Sequence, residues 1–362
     1  MNTLRNIISY FRRNKHRLAT VALIFGFLVD IVTFRNINLS LALTLLAAHL
    51  FIVAFTILVL AIPFEERESF FGKIRAWLPV LQQYSMGNLL SAFLVLYSAS
   101  GSLQASWPFY VLVATAAVGN ETLKLQKYRL PFHTTLLFLN LTLFFALLFP
   151  IVLRSISALS FVVALATAAV IFIALRRLLA LIAPRVFSEN RRRITRGAAL
   201  VLVTITALYF TNLIPPIPLT LKDAAFYHTV MRTSDAYIAE DESRVFFERY
   251  LSLSGTRLTL ARGERAYAYT AVFAPAALDA EVVHRWQVWN EARRVWTTRH
   301  TVQFPITGGR QGGYRGFSFT ENPAPGRWRL SVETEDGRVI GRAYLVVERS
   351  PDQVPTKSFE IR

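Results

Sequence analysis

Tryptophan and arginine side chains in the C-terminal third are the residues of this sequence best suited to binding a ligand. Alternating apolar and polar residues predict a strand over Val282 to Asn290, and successive side chains of a strand point to opposite faces. This alternation places Trp286 in the core and puts Arg285 and Trp289 on the exposed face. An exposed indole beside a guanidinium can stack on a ligand and make cation–π contacts.

A glycine-rich loop over residues 308–313 adds a pattern that is suited to anions. Arg310 lies in this loop, Tyr314 and Arg315 follow it, and the backbone N–H groups of such loops can hold an anion. The predicted ligand-binding residues are therefore Arg285, Trp289, Arg310, Tyr314 and Arg315. The alternative is a loop that requires positive φ angles, next to an aromatic residue that only covers a sheet edge.

Three polar residues inside apolar stretches form a second candidate site, namely Asp30, His49 and Asn140. Polar and ionisable groups within a membrane often mark the path of an ion or a proton. The alternative is that Asp30 lies near the outer interface and that His49 and Asn140 form hydrogen bonds between helices. Matched glycine or proline breaks, which are typical of transporters, do not occur in the sequence.

Catalytic signatures are not found in the sequence. It has no cysteine, and it lacks Gly-x-Ser-x-Gly, His-Glu-x-x-His, phosphate-loop and dinucleotide patterns. We therefore predict no catalytic residue, no cofactor and no metal site. The alternative is a metal site in which His284 and His300, on paired strands, join Glu291 or Asp279.

The elements that carry these residues begin with a long apolar region. Hydrophobic residues make up 53% of the chain and charged residues 17%, whereas soluble proteins carry about 25% charged residues. A helix needs about 20 apolar residues to cross a bilayer. Seven stretches qualify approximately, at 18–34, 38–62, 77–100, 106–121, 131–153, 157–176 and 197–214.

The distribution of lysine and arginine predicts how these stretches are oriented. The segment before the first stretch and the loops after the second, fourth and sixth carry 18 basic residues, against only Arg35 and Arg154 in the alternate loops. Because cytoplasmic loops are enriched in Lys and Arg, the N-terminus is expected in the cytoplasm and the C-terminal part outside. Most of the net charge of +17 is then a topology signal with affinity for membrane lipids, and nucleic acid is not an expected partner.

The expected fold is a membrane all-α bundle of about seven transmembrane helices, followed by a small all-β, immunoglobulin-like sandwich; a partly open barrel is the alternative for the sandwich. The segments are a basic cytoplasmic start (1–17), the helix bundle (18–214), a Pro-rich exit and linker (215–244), the outer β-sandwich domain (245–350) and a C-terminal tail (351–362). Within the linker, Asp223 to Arg244 predicts a short helix followed by a strand.

Period-two alternation between turn signals predicts at least six strands in the outer domain. The strands are Ala266–Phe273, Val282–Asn290, Val295–Phe304, Tyr314–Thr320, Trp328–Thr334 and Val339–Val347. Asp336-Gly337 between the last two predicts a tight hairpin turn. Alternation places Trp328, Leu330 and Val332 in the core, with arginines on the opposite face.

Several short motifs of the outer domain resemble the family known as domain of unknown function 2914. They are His284-Arg285-Trp286, Gly308-Gly309-Arg310, Gly313-Tyr314-Arg315, Pro325 to Arg329, and Gly337 to Gly341. The resemblance covers roughly residues 240–348. It implies a bacterial envelope protein with an outward-facing β-domain and brings no activity with it.

These observations favour a non-enzymatic inner-membrane protein whose periplasmic β-domain binds a glycan, a peptidoglycan fragment or a partner protein of the envelope. A transporter or channel accessory that is active in the helix bundle is the first alternative, and a membrane-surface enzyme is the second. The sequence leaves the identity of the ligand and the oligomeric state open.

Overall fold

The computed structural model describes residues 39–63, 70–122, 126–233, 236–242, 256–275, 278–309 and 312–361. The chain divides into two compact units. The first takes its described residues from 1–99, 107–152 and 157–213, and the second from 100–106, 153–156 and 214–362.

Helices make up the first unit. They are α1 (Leu39–Ala61), α2 (Phe70–Ala99), α3 (Leu103–Thr122, whose first four residues belong to the second unit), α4 (Gln126–Val152), α5 (Ala158–Ile182) and α6 (Pro184–Phe210). Within the described residues there are thus six helices, not the seven that the sequence predicts. Each of the six overlaps one predicted stretch, and the remaining stretch, 18–34, lies outside the described residues.

Four helical segments in the described part of the chain are long and apolar enough to cross a membrane: Leu39–Ala61, Arg129–Val152, Ala158–Ile182 and Pro184–Phe210. Helices α2 and α3 are not among them, because polar side chains such as Gln82, Gln83 and Asn120 lower their hydropathy. Polar residues in these helices are nevertheless buried by helix packing, as at Gln82 and Asn120.

Helix α4 is the most enclosed of the four apolar segments. Of its most apolar 18 residues 61% are buried, against 22% to 33% in the other three. It packs against α1, α2, α5 and α6, and the Tyr97 hydroxyl of α2 donates to the Leu143 carbonyl of α4 at 3.0 Å. These contacts make α4 the centre of the helical unit.

Strands dominate the second unit. They are β1 (Thr220–Tyr227), β2 (Thr229–Arg232), β3 (Tyr237–Glu242), β4 (Thr256–Leu260), β5 (Arg265–Phe273), β6 (Asp279–Asn290), β7 (Val295–Thr307), β8 (Tyr314–Glu321), β9 (Gly326–Thr334), β10 (Val339–Arg349) and β11 (Thr356–Ile361). The six predicted strands correspond to β5 through β10, with ends that differ by three residues at most.

Three sheets are formed by these strands. The largest has the order β4-β10-β9-β6-β7, and the other two have the orders β1-β5-β8 and β11-β3-β2. All pairs are antiparallel except β4 with β10. The large sheet and the β1-β5-β8 sheet share one apolar core, to which Trp286, Trp328 and Leu330 contribute from the first and Ala268 and Val272 from the second.

The segment from 220 to 242 differs from the expectation of a short helix and one strand. Its described residues form β1, β2 and β3, and β1 pairs with β5 from Thr220 to Tyr227. The run of Lys222, Asp223 and two alanines has no clear period, so its conformation is decided by the partner strand rather than by local pattern. Residues 356–361 likewise pair with β3 as β11.

Candidate functional site

The outer face of the five-stranded sheet gathers aromatic and arginine side chains from four strands. Trp289 of β6 lies opposite Trp296 of β7, and Gln287 of β6 lies opposite Arg329 of β9. Arg329 in turn lies opposite Tyr344 of β10. We call this patch the Trp–Arg surface, and it consists of Trp289, Trp296, Arg327, Arg329, Arg342 and Tyr344.

Three aromatic rings lie next to one another on the Trp–Arg surface. The ring centres of Trp289 and Trp296 are 5.3 Å apart, and the planes are inclined at 60°. The rings of Trp296 and Tyr344 are 6.1 Å apart. Both indoles are partly exposed, so they present apolar ring surface to solvent on a rigid sheet.

Two guanidinium groups lie over the indoles. The Arg327 Cζ atom is 5.3 Å from the centre of the Trp289 ring, and the Arg329 Cζ atom is 4.5 Å from that of Trp296. Both distances fall within the range of a cation–π contact, which contributes about 0.5–1 kcal/mol at an exposed position. The arginines therefore restrict the orientation of the rings while their charge stays at the surface.

Glu291 forms hydrogen bonds with two residues of the Trp–Arg surface. Its carboxylate accepts from Arg327 Nη2 at 2.7 Å and from Trp289 Nε1 at 2.9 Å. The hydrogen bond from Arg327, and next that from Trp289, lowers the pKa of Glu291. Glu291 therefore remains ionised at neutral pH, and it compensates the charge of Arg327.

The residues predicted to bind a ligand are only partly brought together. Arg285 and Trp289 lie on the outer face of the five-stranded sheet, where Arg285 Nε donates to Glu333 at 2.8 Å. Tyr314 and Arg315 belong to β8 in another sheet, and Tyr314 packs against the shared core. Arg310 lies outside the described residues.

The start of the glycine-rich loop is held by backbone hydrogen bonds to the segment that precedes β6. The N–H groups of Gly308 and Gly309 donate to the carbonyls of Leu278 and Ala274 at 2.9 and 3.1 Å. A Cβ atom at Gly308 would collide with the carbonyl oxygen of Pro275. Gly309 and Gly313 have φ angles of 101° and 88°. These features favour the alternative in which the glycines serve the turn rather than an anion.

Five members of the surface are not among the predicted ligand-binding residues: Trp296, Arg327, Arg329, Arg342 and Tyr344. Alternation alone places Arg327 and Arg329 on the face opposite Trp328, which is confirmed because Trp328 is buried. Which strand lies beside which cannot be read from alternation. Because β6 lies between β9 and β7, the long side chains of Arg329 and Trp296 meet over β6.

His284 and Trp286 meet at one hydroxyl in the core. His284 Nδ1 and Ser318 Oγ are 2.8 Å apart, and Trp286 Nε1 donates to the same oxygen at 2.9 Å. The other imidazole nitrogen lies 2.8 Å from Thr270 Oγ1. Burial lowers the pKa of His284 to about 3. A neutral imidazole that two hydroxyls hold in place is a weak base, so this network connects the two sheets rather than activating a nucleophile.

The candidate residues of the helical unit make contacts between helices. Asn140 is buried, and its Nδ2 donates to the Leu136 carbonyl at 2.8 Å and to Met86 Sδ at 3.1 Å, which joins α4 to α2. The His49 ring packs against Tyr84 with 6.2 Å between centres. Asp30 lies outside the described residues.

Of the comparisons with known proteins, the family model alone supports the C-terminal resemblance. Curated proteins give no significant match to the chain. Among solved structures, one match is Pseudomonas fluorescens alkylpurine DNA glycosylase AlkC bound to DNA containing an abasic site analog, at 11% identity, covering 83% of this chain and 97% of that chain. Its TM-score is 0.20, so this similarity supports no inference. Residues 279–347, which include β6 through most of β10, match the model of the family described as "Protein of unknown function (DUF2914)".

Proposed function

We propose that this chain is a multi-pass protein of a bacterial inner membrane whose β-rich unit recognises a component of the cell envelope through the Trp–Arg surface. In this proposal the N-terminus is cytoplasmic and the β-rich unit is periplasmic. The asymmetry of basic residues between alternate loops supports this orientation. An immunoglobulin-like sandwich remains our prediction for the architecture of the β-rich unit.

The observation that carries the proposal is the arrangement of Trp289 and Trp296 with the guanidiniums of Arg327 and Arg329. Partly exposed indoles 5.3 Å apart and inclined at 60° offer two apolar ring surfaces that lose little conformational entropy when a ligand packs against them. Tryptophan and arginine are also the residues that most often dominate the energy of binding interfaces. A glycan, a peptidoglycan fragment or a protein loop can use such a surface.

The test uses the full chain in lipid nanodiscs of zwitterionic lipid. Isothermal titration would measure its affinity for a disaccharide–tetrapeptide fragment of peptidoglycan and for a lipopolysaccharide core oligosaccharide. We expect one of them to bind, and we expect Trp289→Ala or Trp296→Ala to weaken its binding about tenfold, which is typical of an interface anchor.

Phe319→Ala provides the matched control. Phe319 is 38% exposed, it lies in another sheet, and it also has an arginine over its ring, because Arg265 Cζ is 4.7 Å from the ring centre. Its substitution should leave the affinity unchanged. Equal affinities in the wild type and in both tryptophan variants would refute the proposed surface.

A further inference from the structure

The centre of the Trp–Arg surface holds more positive charge than its neighbours compensate. Arg285, Arg329 and Arg342 come from three adjacent strands of one face, β6, β9 and β10. Arg285 forms an ion pair with Glu333 at 2.8 Å. Arg329 and Arg342 form no ion pair with any of the described residues.

Neutral acceptors fix the positions of these two guanidiniums. Arg329 Nε donates to Gln287 Oε1 at 2.7 Å, and Arg342 Nε is 3.4 Å from Ser331 Oγ. The Ser331 hydroxyl donates to the same amide oxygen of Gln287 at 3.3 Å. Gln287 and Ser331 are buried, so the side chains that accept hydrogen bonds from both arginines have fixed positions.

The two arginines are close enough to repel each other. Burial is the main factor that lowers the pKa of Arg329, and the positive charge of Arg342 is the next, whereas Tyr344 and the carboxylate of Glu333, which is already paired with Arg285, act in the opposite direction. Like charges that are partly removed from water are unfavourable until a counter-charge is present. A guanidinium also matches the geometry of a carboxylate or a phosphate, because it donates two parallel hydrogen bonds.

We propose that Arg329 and Arg342 form an anion subsite beside the Trp289–Trp296 platform, and that the ligand is a saccharide bearing a carboxylate close to a ring that stacks on the indoles. This inference rests on the proposed function and specifies its ligand class. The guanidinium of Arg329 lies 4.5 Å from the Trp296 ring centre, so a single sugar residue with its acidic substituent spans both subsites.

The low net charge of the whole β-rich unit favours a ligand with a single anionic group over a polyanion. Residues 215–362 contain 20 basic and 17 acidic residues, a net charge of only +3. A surface for nucleic acid would need an extended basic field. Two other arginines of this face, Arg285 and Arg327, form ion pairs with Glu333 and Glu291, which compensate their charge.

The experiment compares two forms of one probe on the full chain in nanodiscs of zwitterionic lipid. The first is the peptidoglycan disaccharide without its peptide, N-acetylglucosaminyl-N-acetylmuramic acid, which carries a free lactyl carboxylate on the sugar, and the second is the same disaccharide with that carboxylate converted to an amide. We expect the wild type to bind the acidic form about tenfold more tightly, as loss of a charge-assisted hydrogen-bonded pair predicts. Inorganic phosphate should compete with the acidic form.

Variants assign this preference to the two arginines. Arg342→Gln and Arg329→Gln should abolish the difference between the two forms, whereas Arg342→Lys should keep part of it. Arg265→Gln is the control, because Arg265 also lies over an aromatic ring but in another sheet. Circular dichroism and thermal unfolding would verify that each variant is folded.

The outcomes separate the two proposals. If Trp296→Ala weakens binding of both forms but the wild type shows no preference for the acidic one, the anion subsite is wrong and the recognition surface stands. The anion subsite is also wrong if Arg329→Gln and Arg342→Gln keep the full preference. If the wild type binds neither form, this ligand class is wrong, and the other envelope probes then decide the fate of the recognition surface.

Discussion

His284 and Trp286 share one hydrogen-bonding partner, because the imidazole Nδ1 and the indole Nε1 lie 2.8 and 2.9 Å from Ser318 Oγ. His284 and Trp286 belong to β6 and Ser318 to β8, so the hydroxyl joins the two sheets that enclose the core. The His-x-Trp spacing places both rings on the inner face of one strand. This gives the His-x-Trp motif of the family resemblance a structural role.

Ser318→Ala should therefore destabilise the β-rich unit. The substitution leaves the Trp286 N–H and one nitrogen of His284 buried without their partner, and each buried unsatisfied polar group costs about 1–3 kcal/mol. We expect the free energy of unfolding to fall by about 2–6 kcal/mol, as measured by denaturant unfolding of the full chain in detergent and followed by near-ultraviolet circular dichroism. Ser358→Ala, at an exposed hydroxyl, is the control, and equal losses in both variants would contradict the role of Ser318.

His284 should also make stability depend on pH. Burial lowers its pKa from 6.5 to about 3, so the unfolded chain binds a proton that the folded chain does not bind between these values. The free energy of unfolding should then decrease as pH falls below about 6.5, by up to about 1.4 kcal/mol per pH unit from this group. Above pH 7 the contribution is constant.

The measurement compares midpoints of unfolding between pH 4.5 and 7.5 for the wild type and His284→Asn. Asparagine keeps hydrogen-bonding capacity but does not titrate in this range. The variant should be less stable at pH 7.5, and its stability should depend less steeply on pH. Parallel curves for the two proteins would show that His284 does not carry the effect.

The sequence predicts the strands of the β-rich unit where apolar and polar residues alternate, and it does not predict the strands that lack this pattern. Strands with strict alternation, such as Val282 to Asn290 and Trp328 to Thr334, are confirmed with their buried faces as expected. The alternation of apolar and polar residues predicts directly which side chains are buried. Each apolar side chain that moves from water to the core face adds to the free energy of folding. Segments without a clear period, such as Thr220 to Tyr227, become strands only through pairing.

The candidate site depends on strand order, which no local pattern encodes. Trp289 is identified from its own strand, but Trp296 and Arg329 become its neighbours only through pairing across β7, β6 and β9. Arg315 is predicted to belong to the same site because it follows the glycine-rich loop. The chain instead crosses to the other sheet before Tyr314.

Replacement of Glu291 separates charge from geometry on the Trp–Arg surface. Glu291→Gln keeps an acceptor for the Trp289 N–H but removes the negative charge that compensates Arg327. Binding of the acidic peptidoglycan fragment should tighten severalfold at low ionic strength, and the gain should shrink in high salt because exposed charges are screened. Isothermal titration at two salt concentrations checks this, and a weaker affinity at low salt would argue against an anionic ligand.

The glycine-rich loop offers a test with a control inside the same loop. A Cβ atom at Gly308 would meet the Pro275 carbonyl, whereas one at Gly312 would meet nothing within 4 Å. Gly308→Ala should thus destabilise the β-rich unit by more than about 2 kcal/mol, while Gly312→Ala should stay within about 0.5 kcal/mol of the wild type. Similar unfolding midpoints for the two variants would mean that the close approach at Gly308 is not required.

The proposed membrane orientation can be mapped with single cysteines, because the chain has none of its own. We choose three exposed positions: Leu153, Ser188 and Asp352. A membrane-impermeant maleimide applied to spheroplasts should label Leu153→Cys and Asp352→Cys at once. It should label Ser188→Cys only after permeabilisation, because the arginine-rich segment around Ser188 is expected in the cytoplasm. If Asp352→Cys is protected in intact spheroplasts, the β-rich unit faces the cytoplasm, and a periplasmic ligand for the Trp–Arg surface is excluded.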